Sequence, residues 1–257
     1  MCISKTLFEK DIGYIVECKN CHKILSSDEE IIFQRVLPLP SDWSDINDWF
    51  CHGHTVGSLT VEPNRLDLLY SQCLVYVNKG VVPNIITKND VALCKFCFSW
   101  IGLIHKQNTV KLWLNTTSFI RESHRIETEP LSDVLGSIRA IFQTSLNNSI
   151  QLILRTKPDE QYNYLLLWIL EKELPVTFYT PGEIRVRHVA KVLFKYINDG
   201  DDLVLDQWRS NVNIDQLDIS KNMMLQLLEH LRKYNKLFSE KFSKTNDFFV
   251  SYLFLYD

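Results

Sequence analysis

Apolar positions along this chain recur with two different periods. Up to about residue 114 they come in short runs of strand length, set apart by Pro, Gly and Asn. These runs predict strands at 14–18, 23–25, 31–37, 72–77 and 91–93, then a hairpin of 101–105 and 110–114 around the turn 106–109. Residues 64–70 are ambiguous. Pro38 and Pro40 deny backbone donors, so the strand over 31–37 has to stop there.

From Pro130 the period becomes helical. Leu131, Val134, Leu135, Ile138, Ile141, Phe142 and Leu146 share one face, and Asn147 with Asn148 ends the run. Ser220 caps a second long helix with Met224, Leu227, Leu228, Leu231 and Tyr234 on its apolar face. Between the helices, 150–155 and 162–170 read as a strand hairpin, and 185–196 fits strand or helix, the alternation at its start favouring a strand. An aromatic strand over 248–256 closes the chain. The pattern predicts an α+β protein: a β-rich module over 1–108, then an α+β domain over 109–257 with a mostly antiparallel sheet and two long helices. The boundary is soft, and one compact unit is equally compatible with it.

Composition narrows the function without naming it. With 46% hydrophobic and 23% charged residues among 257, the chain can bury a real core. A net charge of −3 gives no basic footprint, which argues against direct nucleic-acid binding and for a protein partner. No apolar run approaches the roughly 18 residues of a membrane helix, and the first residues lack a signal-peptide core. The expectation is a cytoplasmic or nuclear protein without a membrane partner.

All seven cysteines lie at or before Cys97, and four form two C-x2-C pairs, Cys18 with Cys21 and Cys94 with Cys97. Each pair presents two thiolates to one side of a metal, so two pairs complete a tetrahedron; zinc in a ribbon-like module is the expected cofactor. Cys73, inside an apolar run, reads as core. The 72 residues between the pairs then include a long insertion. Within it, Ser41 caps a short helix over 42–50 that carries Trp43, Ile46 and Trp49 on one face. Cys51, His52 and His54 follow. They could ligate a second metal with a residue such as His22, fill the core, make Cys51 a nucleophile, or reach into a partner's metal site. The other histidines, His105, His124, His188 and His230, read as structural or exposed. No phosphate loop, nucleophile elbow or H-E-x-x-H helix is present.

The order CKNC, RVLPLPSDWSDINDWFCH, LCKFC, YLLLWIL and HVAKVLFKY resembles the HECT-like family of ubiquitin-conjugating-enzyme-binding proteins, from about Tyr14 to the C-terminus. The resemblance implies ubiquitin-ligase activity, a ubiquitin-conjugating enzyme as partner, and a link to the zinc-dependent, metallo-β-lactamase-type endonuclease that cleaves pre-mRNA before polyadenylation. It also implies a β-rich region ahead of the first cysteine pair, where this chain has 17 residues. A true HECT domain carries its thioester cysteine near its C-terminus, and no cysteine follows Cys97 here.

Two functions follow as expectations. In the first, the chain binds, stabilises and inhibits the endonuclease: Pro38, Pro40, Trp43 and Trp49 dock, and Cys51 with His52 meets the partner's metal. In the second, the chain is a ubiquitin ligase that binds a conjugating enzyme, with Cys51 as the one candidate for a thioester. A basic face of Arg185, Arg187, Lys191 and Lys195 could extend either surface.

Overall fold

A computed structural model of the chain describes residues 7–27, 30–39, 62–144, 149–157, 161–180, 182–198 and 202–255. It divides into two compact units, Met1–Glu129 and Pro130–Asp257. The soft boundary expected from the pattern lies at 108/109, and residues 106–109 form the turn of a hairpin whose two strands pair inside the first unit.

In the first unit the described strands are β1 (Gly13–Cys18), β2 (Ile31–Ile32), β3 (Arg35–Pro38), β4 (Asp67–Tyr70), β5 (Leu74–Asn78), β6 (Ile85–Lys88), β7 (Val91–Cys94), β8 (Trp100–Lys106), β9 (Thr109–Trp113), β10 (Thr117–Arg121) and β11 (His124–Ile126). They build a four-stranded sheet, β11-β10-β1-β2, and a seven-stranded sheet, β3-β4-β5-β9-β8-β7-β6. Every pairing is antiparallel except β3 with β4. Alternation along β1 sends Tyr14, Val16 and Cys18 inward. They join Phe33, Leu68, Val75, Val77, Val110, Leu112 and Phe119 in one core shared by the two sheets.

The run over 31–37, expected as a single strand, is two. β2 pairs with β1, Phe33 drops fully buried into the core beside Tyr14, and β3 continues in the other sheet. Burying that ring forces the chain to change sheets. Pro38 still stands last in its strand, as its missing donor requires.

The second unit runs α1 (Pro130–Thr144), β12 (Ile150–Thr156), β13 (Asn163–Thr180), β14 (Glu183–Ile197), α2 (Leu203–Ser210), β15 (Asp215–Asp218), α3 (Lys221–Asn235), β16 (Lys244–Thr245) and β17 (Phe248–Leu253). Its sheet has the order β15-β12-β13-β14-β17-β16, antiparallel but for β12 with β15. Both faces of the central strands are covered over residues 164–169 of β13 and 189–194 of β14, while the far ends of the two strands are largely exposed. Leu165, Leu167 and Ile169 face α3, whose Leu231 carbonyl accepts a hydrogen bond from Ser251 Oγ at 2.8 Å. Ser220 caps α3 as expected, its Oγ accepting from Met223 N at 3.1 Å. On the other face Ile153, Tyr164 and Leu166 pack with Leu205 and Trp208 of α2. This third helix has only two turns, too few to show a period, and Asp202 caps it by accepting from Val204 N and Leu205 N.

His230, on α3, is packed against Tyr234 and Phe254, and its Nε2 has no partner among the described residues. Burial, helped by nearby Lys233, lowers its pKa from the ordinary 6.5, although a backbone hydrogen bond at Tyr252 pulls the other way. The folded unit therefore holds the ring neutral while the unfolded chain protonates first, so stability falls as pH drops below about 6.5. Chemical denaturation between pH 7.5 and 5.5 should show that loss in the second unit, and His230→Phe should flatten it.

Candidate metal centre

β1 and β7 lie in different sheets, and each ends on a cysteine. Past Cys18 the chain turns through Lys19, Asn20 and Cys21; past Cys94 it turns through Lys95, Phe96 and Cys97. The two turns have the same backbone. His22 N donates to Cys18 O at 2.8 Å and Phe98 N to Cys94 O at 2.9 Å, while Cys18 N bonds Lys23 O and Cys94 N bonds Ser99 O, both at 2.9 Å. Each turn closes on a residue with positive φ, 57° at His22 and at Phe98. For a side chain branched from an L-residue that conformation costs roughly 1–2 kcal/mol.

The turns face each other. Asn84 joins them independently of any ion: its N donates to Leu25 O, its O accepts from Lys95 N, and its side-chain amide donates to Ile24 O and Ser26 O. The result brings Cys18, Cys21, Cys94 and Cys97 together with all four Sγ atoms within 4.8 Å of one another. Sγ of Cys18 is 3.7 Å from that of Cys97, and Cys21 is 3.7 Å from Cys94. A disulfide needs about 2 Å, so these are separate thiols. Four thiolates each about 2.3 Å from a shared ion would stand about 3.8 Å apart as a tetrahedron. The four cysteines could hold a metal ion, and it would pin the end of one sheet to the end of the other.

The surroundings set three of the thiols apart. Burial pushes the Cys18 and Cys94 thiols up, whereas Cys97, against its own burial, is brought down to about 6 by hydrogen bonds at Asn20 and Ser99. Beside the cluster, Glu17 is nearly buried and takes hydrogen bonds from Arg125 at 2.7 Å and His22 Nδ1 at 2.9 Å. Burial alone would raise the Glu17 pKa, yet these two partners bring it below the ordinary value. Lys19 donates to Thr128 O at 3.0 Å and stands 3.6 Å from Glu127. These ties hold the first turn against β10 and β11, and no spacing along the chain signals them.

Other predicted site residues fare differently. Pro38 lies on β3, paired with Tyr70. Pro40, Trp43, Trp49, Cys51 and His52, with the helix over 42–50 and His54, lie outside the described residues. The segment that carries them joins two parallel neighbours, β3 and β4. His22, considered as a ligand of a second metal, is held by Glu17. Cys73 is core, 2% exposed. Of the basic residues Arg185, Arg187, Lys191 and Lys195, three are engaged separately. Arg185 pairs with Glu183, Arg187 lies over the Phe254 ring, and Lys195 is 2.6 Å from Asp202.

A cleft of about 580 Å³ in the second unit is lined by Phe194, Lys195, Leu228, Arg232, Asn235 and Asp247 among others. Its lysine is ion-paired to Asp202 and near Asp247, and its Asn235 amide donates to Ser243 O and Val250 O. No cysteine or histidine lines it. Among the described residues no helix is long and apolar enough to cross a membrane.

A family model described as HECT-like ubiquitin-conjugating enzyme (E2)-binding matches residues 3–250, nearly the whole chain. No curated protein and no solved structure matches it.

Proposed function

The chain belongs to the HECT-like E2-binding family, and from that premise we propose that it is a zinc-stapled adaptor which binds a ubiquitin-conjugating enzyme and promotes transfer of its ubiquitin. One observation carries the division of labour. Of the five described cysteines, four converge on one cluster and Cys73 is shut in the core. None is placed to receive ubiquitin as a thioester, which needs an accessible thiolate. Cys51 lies outside the described residues; on the proposed reading the thioester that reacts is the one the E2 already carries, and the chain's contribution is to hold that enzyme in a productive orientation.

Zinc is the ion that suits the cluster. Thiolate-only donor sets select soft or borderline ions over magnesium and calcium, and four protein ligands leave no open position for catalysis. The ion is thus structural. The family description names a ubiquitin-conjugating enzyme as partner and no endonuclease.

A panel of purified E2 enzymes tests the proposal. At least one should bind the chain, and once charged with ubiquitin it should discharge faster onto free lysine in the chain's presence. Non-reducing gels should show no thiol-sensitive ubiquitin adduct on the chain, and Cys51→Ser should behave as the parent does. If no E2 binds, the adaptor reading fails. An adduct that disappears in Cys51→Ser would instead make Cys51 the catalytic residue.

A further inference from the structure

The two cysteine turns share a backbone and differ in what their side chains do. In the first, each non-ligand side chain is committed: Lys19 to Glu127 and Thr128, Asn20 to Cys97, and His22 to Glu17. In the second, the matching positions are Lys95, Phe96 and Phe98. Lys95 is exposed and makes no ion pair among the described residues. Phe96 is 48% exposed and Phe98 66%.

Phe98 is the telling residue. Its backbone sits at φ 57°, where glycine would be relaxed and a bulky side chain is strained. His22 bears the same strain with its ring hydrogen-bonded to a nearly buried carboxylate. Phe98 bears it while presenting its ring to water. Its N–H closes the turn on Cys94 O as that of His22 does on Cys18 O, but no ring contact among the described residues holds the Phe98 side chain, and an exposed aromatic fixed on such a turn suits a contact outside the molecule.

We propose that this second turn, with Phe96 and Phe98 as paired anchors and Lys95 between the cysteines, is the surface on which the ubiquitin-conjugating enzyme docks. The inference rests on the E2-binding reading, which supplies the occupant. The chemistry fits a protein interface: two aromatic anchors on a turn fixed by the cysteine cluster and by Asn84 lose little freedom on binding. Ile86, on β6 beside β7, and Ile24, just past the first turn, are each 37% exposed and add apolar surface on the neighbouring segments. With Lys95, and with Lys23 also exposed, the surface suits a partner that offers an apolar pocket with an acidic rim.

The test takes the E2 that binds the parent most tightly and measures its Kd against Phe96→Ser combined with Phe98→Gly. Glycine relaxes the strained φ, so zinc content and melting should match the parent. Affinity should fall at least about tenfold, the loss expected of a central aromatic anchor. Lys95→Glu should weaken binding by a smaller factor, and Tyr179→Ser on the β13–β14 ribbon should leave it unchanged. As a second readout, benzoylphenylalanine at position 98 of the full chain should photo-crosslink to the E2.

Unchanged affinity in the double variant, or no crosslink from position 98, overturns the site and leaves the adaptor reading standing. A parent that binds no E2 overturns both. A parent that is dimeric by light scattering, with a double variant that is monomeric, would show a second copy to be the occupant and overturn the proposal too.

Discussion

Cys94→Ala, or prolonged exposure of the parent to a strong chelator, is expected to unfold the first unit and leave the second folded. Four thiolates that converge from two sheets are worth far more than four buried cysteines. Structural zinc in small sites binds with roughly 10–16 kcal/mol, and in proteins that lack a preformed site this is folding free energy. A whole domain is stable by only about 5–15 kcal/mol. Losing one ligand also leaves three crowded sulfurs that must give up the ion and take protons, since burial resists ionisation of Cys18. The second unit has its own core of Ile153, Leu166, Ile197 and Trp208 and draws on no cysteine. Hydrogen exchange is the sharpest readout: amides of β1, β7 and β10 should lose protection while those of β12, β13 and α3 keep it. Elemental analysis of the parent should give one zinc per chain. Cys73→Ala, which trims a core side chain outside the cluster, should cost only about 1 kcal/mol and leave the zinc in place. Equal effects of Cys73→Ala and Cys94→Ala would sink the metal assignment.

How much of this could be read from the sequence depended on whether the controlling contact was local. The C-x2-C pairs were legible because their spacing is itself the chemistry: any backbone that turns there presents two thiols together. The helices α1 and α3 and the hairpin of β12 with β13 were legible for the same reason, since enough residues repeat to define a period. What lay hidden was set at long range. Residues 31–37 look like one strand, and only the core position of Phe33 explains why they serve two sheets. The pairing of β1 with β10, and the bond from Arg125 to Glu17, join parts of the chain about a hundred residues apart. The positive φ at His22 and Phe98 was hidden for another reason. Glycine is the usual sign of that conformation and neither position has it, so the residue most suggestive of an outside contact carried no local signal. Of the insertion, the sequence showed composition and led to the expectation of a capped helix over 42–50, which lies outside the described residues; the structure adds that the strands flanking the insertion are parallel neighbours.

Those strands are fixed by one carboxylate, which sets the second large effect. Asp67, at the start of β4, is almost fully buried and accepts from four donors: Arg35 Nε at 2.8 Å, Arg35 Nη2, Asn64 N at 2.9 Å and Asn64 Nδ2 at 3.0 Å. Arg35 is also its register partner across the only parallel pairing among the described strands of this unit. A parallel edge pair joined by a long connection gains nothing from a tight turn, so side-chain bonds must hold it in place. Asp67→Ala removes all four acceptor contacts and leaves Asn64 N without its partner. The expected cost is about 2–3 kcal/mol, from the loss of several hydrogen bonds to a charged group. Arg35 holds the Asp67 carboxyl below its ordinary 3.8 despite burial. The sign follows from that direction. The contribution is complete above the unfolded pKa, near 3.8, and is lost as pH falls through the lower folded value. Denaturation curves at pH 7 should therefore show the full difference between parent and Asp67→Ala, and the gap should narrow below pH 3.8. A gap that stays constant to lower pH would mean that Asp67 acts through packing alone. Hydrogen exchange should place the loss in β3 and β4. If β3 kept its protection in Asp67→Ala, the ion pair would not be what anchors the insertion.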